Sequence, residues 1–373
     1  MTTLPTSWLE ISQSALIHNF KVFKKNLSPK TKTLCVIKGN AYGHDLKTIL
    51  SILKKVQPDF YGVFDIQDAL IIRQSDKKTP ILVMCPAQKE FVAIAHKYNL
   101  SLSVSSNEIL THIIKKKYSK SLKIHLCIET GLGRDGIPHQ ELSRTLALIH
   151  NKKNIIIEGL YTHFSGAESR QFDMLTRAQI TKLLEWKSAF QNLGIKPLTH
   201  ASGTAGSFLG TQFQLNMCRI GLGLYGLWPN DETQSIAKKT VLKPVLSWKT
   251  KIVDIKKLPK NHGIGYDVSF ITNKPTKIAV VPIGYYDGIP RSATNKGWML
   301  VQGQKIPLRG KVMMNMCVLD VTDLQVKIGD EVFIIGYQKN NSITVEDWAT
   351  WSNTINYEIT TRINPFLKRI LVK

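Results

Sequence analysis

Between about residues 33 and 220, short β-branched or apolar runs alternate with longer amphipathic stretches, and no other pattern in the chain constrains its fold so tightly. Strands are expected at 33–38, 59–64, 80–84, 100–104, 122–128, 154–160, 197–201 and 216–220. Between them 46–56, 66–75, 106–117 and 170–192 read as helices, the last with apolar residues at helical spacing. About eight such units favour a (β/α)8 barrel of the TIM type over a doubly wound sheet, which more often has fewer strands. At 373 residues the chain exceeds one ordinary core, so a second domain is expected.

After Leu227-Trp228-Pro229-Asn230 the rhythm changes to short strands at 246–256, 276–283, 298–308, 311–320 and 330–336. Turn signals separate them: Asn273-Lys274-Pro275, Gln302-Gly303-Gln304 and Lys327-Ile328-Gly329-Asp330. The expected class is therefore α/β. An N-terminal (β/α)8 barrel covers 12–234, and a C-terminal mostly β domain is built from 1–11 and 235–373.

Composition narrows the functional classes. A hydrophobic content of 43% is that of a globular protein. Neither an apolar segment after Met1-Thr2-Thr3-Leu4-Pro5 nor a run of about 18 uncharged apolar residues is present, so a cytoplasmic protein without a membrane span is expected. Cys35, Cys85, Cys127, Cys218 and Cys317 are an odd number and widely spaced, which reads as reduced thiols rather than a disulfide set, and no metal is expected. The formal charge of +23 invites a nucleic-acid reading, yet the lysines are scattered and only short clusters such as Lys115-Lys116-Lys117 occur. A solvated basic surface that steers anionic ligands is the better account, and no nucleic-acid partner is expected.

In a barrel of this kind the functional face lies where the strands end, so polar residues just past each strand carry the argument. Lys38 ends the first run, Thr33-Leu34-Cys35-Val36-Ile37. A lone lysine there usually snorkels its ammonium to water. A desolvated lysine, however, loses its proton more easily, and the neutral amine forms a Schiff base with a carbonyl. The fifth strand is followed by Glu129-Thr130-Gly131-Leu132-Gly133-Arg134, the sixth by His163, the seventh by His200-Ala201-Ser202-Gly203-Thr204, and the eighth by Gly221-Leu222-Gly223. Loops after the last two strands are the common phosphate position, and Ser202, Thr204, Gly221 and Leu222 fit it.

Several segments, in order, resemble the alanine racemases. They are Val36-Ile37-Lys38-Gly39-Asn40-Ala41-Tyr42-Gly43-His44, Glu129-Thr130-Gly131-Leu132-Gly133-Arg134, Gly159-Leu160-Tyr161-Thr162-His163-Phe164 and Arg219-Ile220-Gly221 with Tyr225-Gly226-Leu227. The likeness continues in Gly265-Tyr266, Pro282-Ile283-Gly284-Tyr285-Tyr286-Asp287-Gly288, Gly310-Lys311-Val312-Met313-Met314-Asn315 and Thr354-Ile355-Asn356-Tyr357-Glu358. The resemblance implies a homodimeric, pyridoxal-phosphate-dependent enzyme that interconverts L- and D-alanine and supplies D-alanine for peptidoglycan.

By the same resemblance Lys38 binds pyridoxal phosphate as a Schiff base and carries one proton, while Tyr266, contributed by the other subunit, serves the opposite face of the substrate α-carbon. Two carriers are needed because one base alone mostly returns the same enantiomer. His163 is placed near that tyrosine and Arg219 at the cofactor's pyridine nitrogen. An arginine only donates, so that nitrogen stays unprotonated and the cofactor is a weaker electron sink. Tyr42 and Tyr357 are implied to reach the phosphate and line the pocket, with Tyr285 at its entrance. The backbone of Met314 is implied to bind the substrate carboxylate, and Arg134 the cofactor hydroxyl or that carboxylate.

Departures from the family pattern are as informative. Cys127 stands where the family often has a lysine whose carbamate orients the arginine. A thiol cannot do that, so another group or a bound anion is expected to hold Arg134. Gly203, Thr204, Asn315, Asp267 and Phe366 replace a usual asparagine, serine, aspartate, glycine and arginine, while Arg369 still matches. The alternatives are a racemase of serine or larger amino acids, a decarboxylase of the same plan, and a non-catalytic pyridoxal-phosphate-binding protein. The last resembles only the barrel.

Overall fold

The structure is a computed structural model that describes residues 5–238 and 240–373. It divides into two compact units. One comprises Leu16–Ala41 and Ile49–Lys243, and the other the N-terminal residues to Ala15, Tyr42–Thr48 and Pro244–Lys373.

The first unit is a nearly closed parallel barrel. Its strands, in chain order, are Lys32–Val36, Phe60–Val63, Ile81–Pro86, Ser101–Val104, Leu122–Glu129, Ile155–Tyr161, Leu198–His200 and Met217–Ile220. They are hydrogen-bonded in the order eighth, first, second and onward to the seventh. Between seventh and eighth, Asn216 N–H donates to the Thr199 carbonyl at 3.0 Å and Arg219 N–H to the Ser202 carbonyl at 2.9 Å. These strands are buried on both faces, as expected when helices wrap a parallel sheet. Helices Ile66–Ser75, Lys89–Tyr98, Asn107–Ile114 and Leu142–Ile149 follow strands, and Asp173–Asn192 buries Ile180, Leu183, Trp186 and Phe190 on one stripe. Ser106 begins one of them by accepting the Ile109 N–H. One expectation is corrected: the first strand ends at Val36, and Lys38 opens the turn that follows.

The second unit is mostly β. Its largest sheet runs Gln304–Pro307, Trp298–Val301, Glu331–Gln338, Leu246–Lys251, Ser7–Ser12 and Lys368–Val372. Ser7–Ser12 lies antiparallel to Leu246–Lys251 and parallel to Lys368–Val372. A three-stranded sheet joins Asp254–Leu258, Thr276–Val281 and Cys317–Asp320, and a small hairpin pairs Gly263–Ile264 with Phe270–Ile271.

Three expectations change in this unit. The segments 246–256 and 298–308 are each two strands, the second folded back at Gln302 and Gly303, whose φ of 53° and 83° are those of a tight hairpin turn. Of 311–320 only Cys317–Asp320 is strand, because the residues before it form a loop held by backbone bonds to the 284–286 turn. Helices Val345–Ser352 and Asn356–Thr361 were not expected. Thr344 and Asp347 form a reciprocal capping box that starts the first of them.

Candidate active site

Lys38 is placed by an unusual piece of backbone. Gly39, Asn40, Ala41 and Tyr42 have φ of 61°, 52°, 55° and 53°, a run of left-handed residues, and Ala41 N–H donates to the Ile37 carbonyl at 3.1 Å. Non-glycine residues pay about 1–2 kcal/mol each for this conformation, so the surrounding structure must hold it in place. The turn starts the chain away from the end of the first strand at Lys38. Burial, then the charges of Arg134 and Arg219, hold the Lys38 ammonium below the ordinary lysine range, with Asp135 opposing them. A depressed lysine supplies neutral amine more readily.

Arg219, on the eighth strand, is buried in the barrel and makes four hydrogen bonds with no carboxylate among them. It donates to the carbonyls of Thr162 and Ala201 at 2.8 and 2.7 Å, to His163 Nδ1 at 3.0 Å and to His200 Nδ1 at 2.8 Å. Because an arginine only donates, both Nδ1 atoms are acceptors and both rings carry hydrogen on Nε2. His200 Nε2–H therefore donates to His125 Nδ1 at 2.9 Å, and His125 Nε2–H to Glu158 at 3.1 Å. Burial and then the Arg219 charge push His163 down to about 3 and His200 well below the usual imidazole range. The cation is thus surrounded by neutral rings. Its link to a carboxylate runs through His200 and then His125.

The residues proposed for a phosphate divide. No acceptor is found among the described residues for the backbone N–H of Gly221 or Leu222, although both residues are buried. Thr204 Oγ1 accepts the Gly223 N–H at 3.2 Å, which leaves its hydroxyl proton for another acceptor. These groups fit an anion. Ser202 does not: its side chain is fully buried and its hydroxyl donates to the Phe213 carbonyl at 2.7 Å, fastening the loop instead.

Arg134 follows the fifth strand, and its Nε–H donates to Asp135 Oδ1 at 2.9 Å.

The remaining candidates lie in the other unit. Tyr42 and Tyr357 face each other with ring centroids 6.3 Å apart, and loss of solvent pushes the Tyr42 phenol up to about 12. Arg369 donates to the Gly43 carbonyl at 3.0 Å and fixes the start of that segment. Tyr285 N–H donates to the Met313 carbonyl and Tyr286 N–H to the Met314 carbonyl, each at 3.0 Å, which brings Tyr285 and Met314 together. Gly284 allows this approach, since a Cβ there would lie 2.1 Å from the Met313 oxygen. Tyr266 sits at the tip of the small hairpin and is 68% exposed. Asp267 follows it with φ 57°, a conformation that glycine adopts freely and aspartate tolerates, and its carboxylate pairs with Lys311.

Sequence reading had assigned no role to His125, Glu158, His200 or Asp135. The histidine and glutamate look like ordinary strand residues, and their partners are 33 and 75 residues apart in sequence. Among the described residues no group of three His, Cys, Asp or Glu is placed to hold a metal ion, and no helix is long and apolar enough to cross a membrane.

Comparison with known proteins bears on this arrangement. The sequence matches the family description "Alanine racemase, N-terminal domain" over residues 11–229 and "Alanine racemase, C-terminal domain" over 245–371. An alanine racemase of Leptospira interrogans is 36% identical over 376 residues, covering 98% of this chain and 96% of that protein. The crystal structure of alanine racemase from Bacillus anthracis with bound L-Ala-P superposes with a TM-score of 0.93 at 30% identity, covering 100% of this chain and 96% of that one. A histidine racemase from Leuconostoc mesenteroides has a TM-score of 0.88 at 26% identity, covering 99% and 98%.

Proposed function

The chain belongs to the alanine racemase family, and from that premise we propose that it interconverts L- and D-alanine with pyridoxal phosphate, using Lys38 and Tyr266 as the two proton carriers. The observation that carries this reading is the barrel mouth: a lysine held below its ordinary range, beside a buried arginine that has no carboxylate partner among the described residues. Bound there, the cofactor would withdraw electrons from the substrate α-carbon and make its hydrogen labile.

The chain's own residues account for the rest. Lys38 Nζ would hold the cofactor, and its neutral amine would accept or return the proton on one face. Thr204 and the backbone N–H groups of Gly221 and Leu222 hold the phosphate. Arg219 presents a donor to the pyridine nitrogen and keeps it unprotonated, which restrains reactions that need a strong electron sink. His163 stays neutral near pH 7, so its Nε2–H donates and its ring adds no charge. The Tyr266 hydroxyl, provided by a second copy of the chain, serves the other face. Its exposure, together with that of Val268, Tyr286, Met314 and Met316 on the same unit, supports a partner surface there.

Five cysteines without a disulfide support a reducing, cytoplasmic setting, where D-alanine would feed peptidoglycan assembly. Incubation of the loaded protein with L-alanine in deuterated water should exchange the α-hydrogen and yield D-alanine by chiral chromatography. Exchange absent with alanine would overturn the proposal. The same panel with serine and histidine tests a second reading, motivated by the histidine racemase of the same architecture.

A further inference from the structure

The loop bearing Arg134 is closed on the end of the fifth strand. The Glu129 carboxylate accepts the N–H groups of Gly131 and, at 3.0 Å, Gly133. Ile137 and Pro138 return to pair beside Ile128 and Glu129. Gly136 has φ 125°, and a Cβ on it would lie 2.5 Å from the Glu129 nitrogen, so the approach requires glycine. Within this frame the Arg134 side chain is 57% exposed while that of Asp135 is only 16% exposed. Exposed ion pairs contribute little, but here the carboxylate is the sheltered member and the loop fixes its backbone.

Cys127 lies directly beneath. Its thiol points at the Asp135 carbonyl at 4.0 Å, and burial, followed by the Asp135 charge, pushes it up to about 12. It is therefore a neutral, small side chain at physiological pH. Lys38, Arg134 and Arg219 bring three positive groups to this end of the barrel, and the charge that opposes the two arginines at Lys38 is that of Asp135. The uncharged thiol at 127 leaves Asp135 as the anion acting at this place.

Resting on the proposed function, we propose that Asp135 is the positioning residue for Arg134: its carboxylate holds Nε and aims the free guanidinium edge at a ligand carboxylate. This replaces the carbamylated lysine of relatives that have one. The protein then needs no dissolved CO2 to complete its arginine.

The test uses the protein loaded with pyridoxal phosphate and propionate as the probe, titrated through the visible absorbance of the cofactor, so no turnover is required. Asp135→Asn should weaken propionate binding about tenfold or more and raise KM for alanine more than it lowers kcat, while Asp135→Glu recovers part of the loss. Wild-type affinity should be unchanged in CO2-depleted buffer. In a Cys127→Lys, Asp135→Asn protein, the new amine can add CO2 to form a carbamate with release of one proton, and affinity should return only with bicarbonate present. Asp135→Asn affinity within twofold of wild type, wild-type affinity that falls when CO2 is removed, or no propionate binding by wild type would each overturn the proposal. If Asp135→Asn misfolds, Asp135→Ser is read by the same propionate titration, and affinity within twofold of wild type again overturns the proposal. A protein that binds propionate as expected but does not racemise alanine overturns the proposed function alone.

Discussion

At the scale of single residues, the environment of each titratable group decides which proton it can carry. His163 shows this with a sign that can be checked. Its folded-state value is near 3 against 6.5 for the free group, chiefly through burial and then through Arg219. Between those values the unfolded chain binds a proton that the folded chain refuses, so stability is lost as pH falls below about 6.5 and the loss saturates near the folded value. The contribution at pH 5 is about 2 kcal/mol. Urea unfolding of the cofactor-free protein should show a shallower loss between pH 7 and 5 in His163→Gln than in wild type, with the slope from His200, likewise held neutral by burial, common to both. Equal slopes would mean that the imidazole protonates freely in the folded protein. The identity of Lys38, Tyr266, His163 and Arg219 as candidates was legible in short motifs. The protonation of Lys38 was not, because it depends on groups such as Asp135 that lie nearly 100 positions away in the chain.

The strands of the barrel carry a second level of organisation. Ser101, Ser103, His125, Glu158, Tyr161, His200 and Arg219 come from five strands and form one hydrogen-bonded or stacked polar cluster inside. Burial raises the Glu158 carboxyl, but hydrogen bonds from His125 and Ser101 and the charge of Lys123 outweigh it and leave the group below its ordinary value. Glu158→Leu would strand the His125 Nε2–H and remove the anion nearest along the chain of bonds to Arg219. A loss of about 2–4 kcal/mol in urea denaturation at pH 7 is expected, with Glu158→Gln losing less than half as much because an acceptor remains. Equal losses would show that the charge rather than the remaining acceptor holds the cluster. The strands themselves were legible as apolar runs, since both faces of a parallel sheet are buried. The polar cluster was not, because a buried histidine interrupts such a run without announcing its partner. The helix at Val345–Ser352 could have been found from Thr344 and Asp347, three residues apart as a capping box requires.

For the whole molecule, the proposed function makes a claim about assembly that mixing can test. If Lys38 and Tyr266 of one active site come from different chains, Lys38→Ala and Tyr266→Phe homodimers are each impaired at both sites. A heterodimer of the two has one site lacking both groups and one with both intact. Unfolded and refolded together in equal amounts, the two variants should recover about one quarter of wild-type activity by random pairing. Recovery no greater than the sum of the separate variants would place both groups in one chain.

The sequence by itself determined the elements and the chemical types at their ends, because hydrophobic period and turn chemistry are local properties that survive without knowledge of partners. It placed a lysine at the end of the first strand, an arginine on the eighth and glycine-rich loops past the strand ends. Only the tertiary structure decided what these groups are joined to. It fastened Ser202 to Phe213 rather than leaving it for a phosphate, surrounded Arg219 with neutral rings, and set Asp135 against Arg134 above the small thiol of Cys127. Those outcomes follow from burial, hydrogen-bond direction and the field of charges, which arise when distant segments are brought together and have no periodicity along the chain.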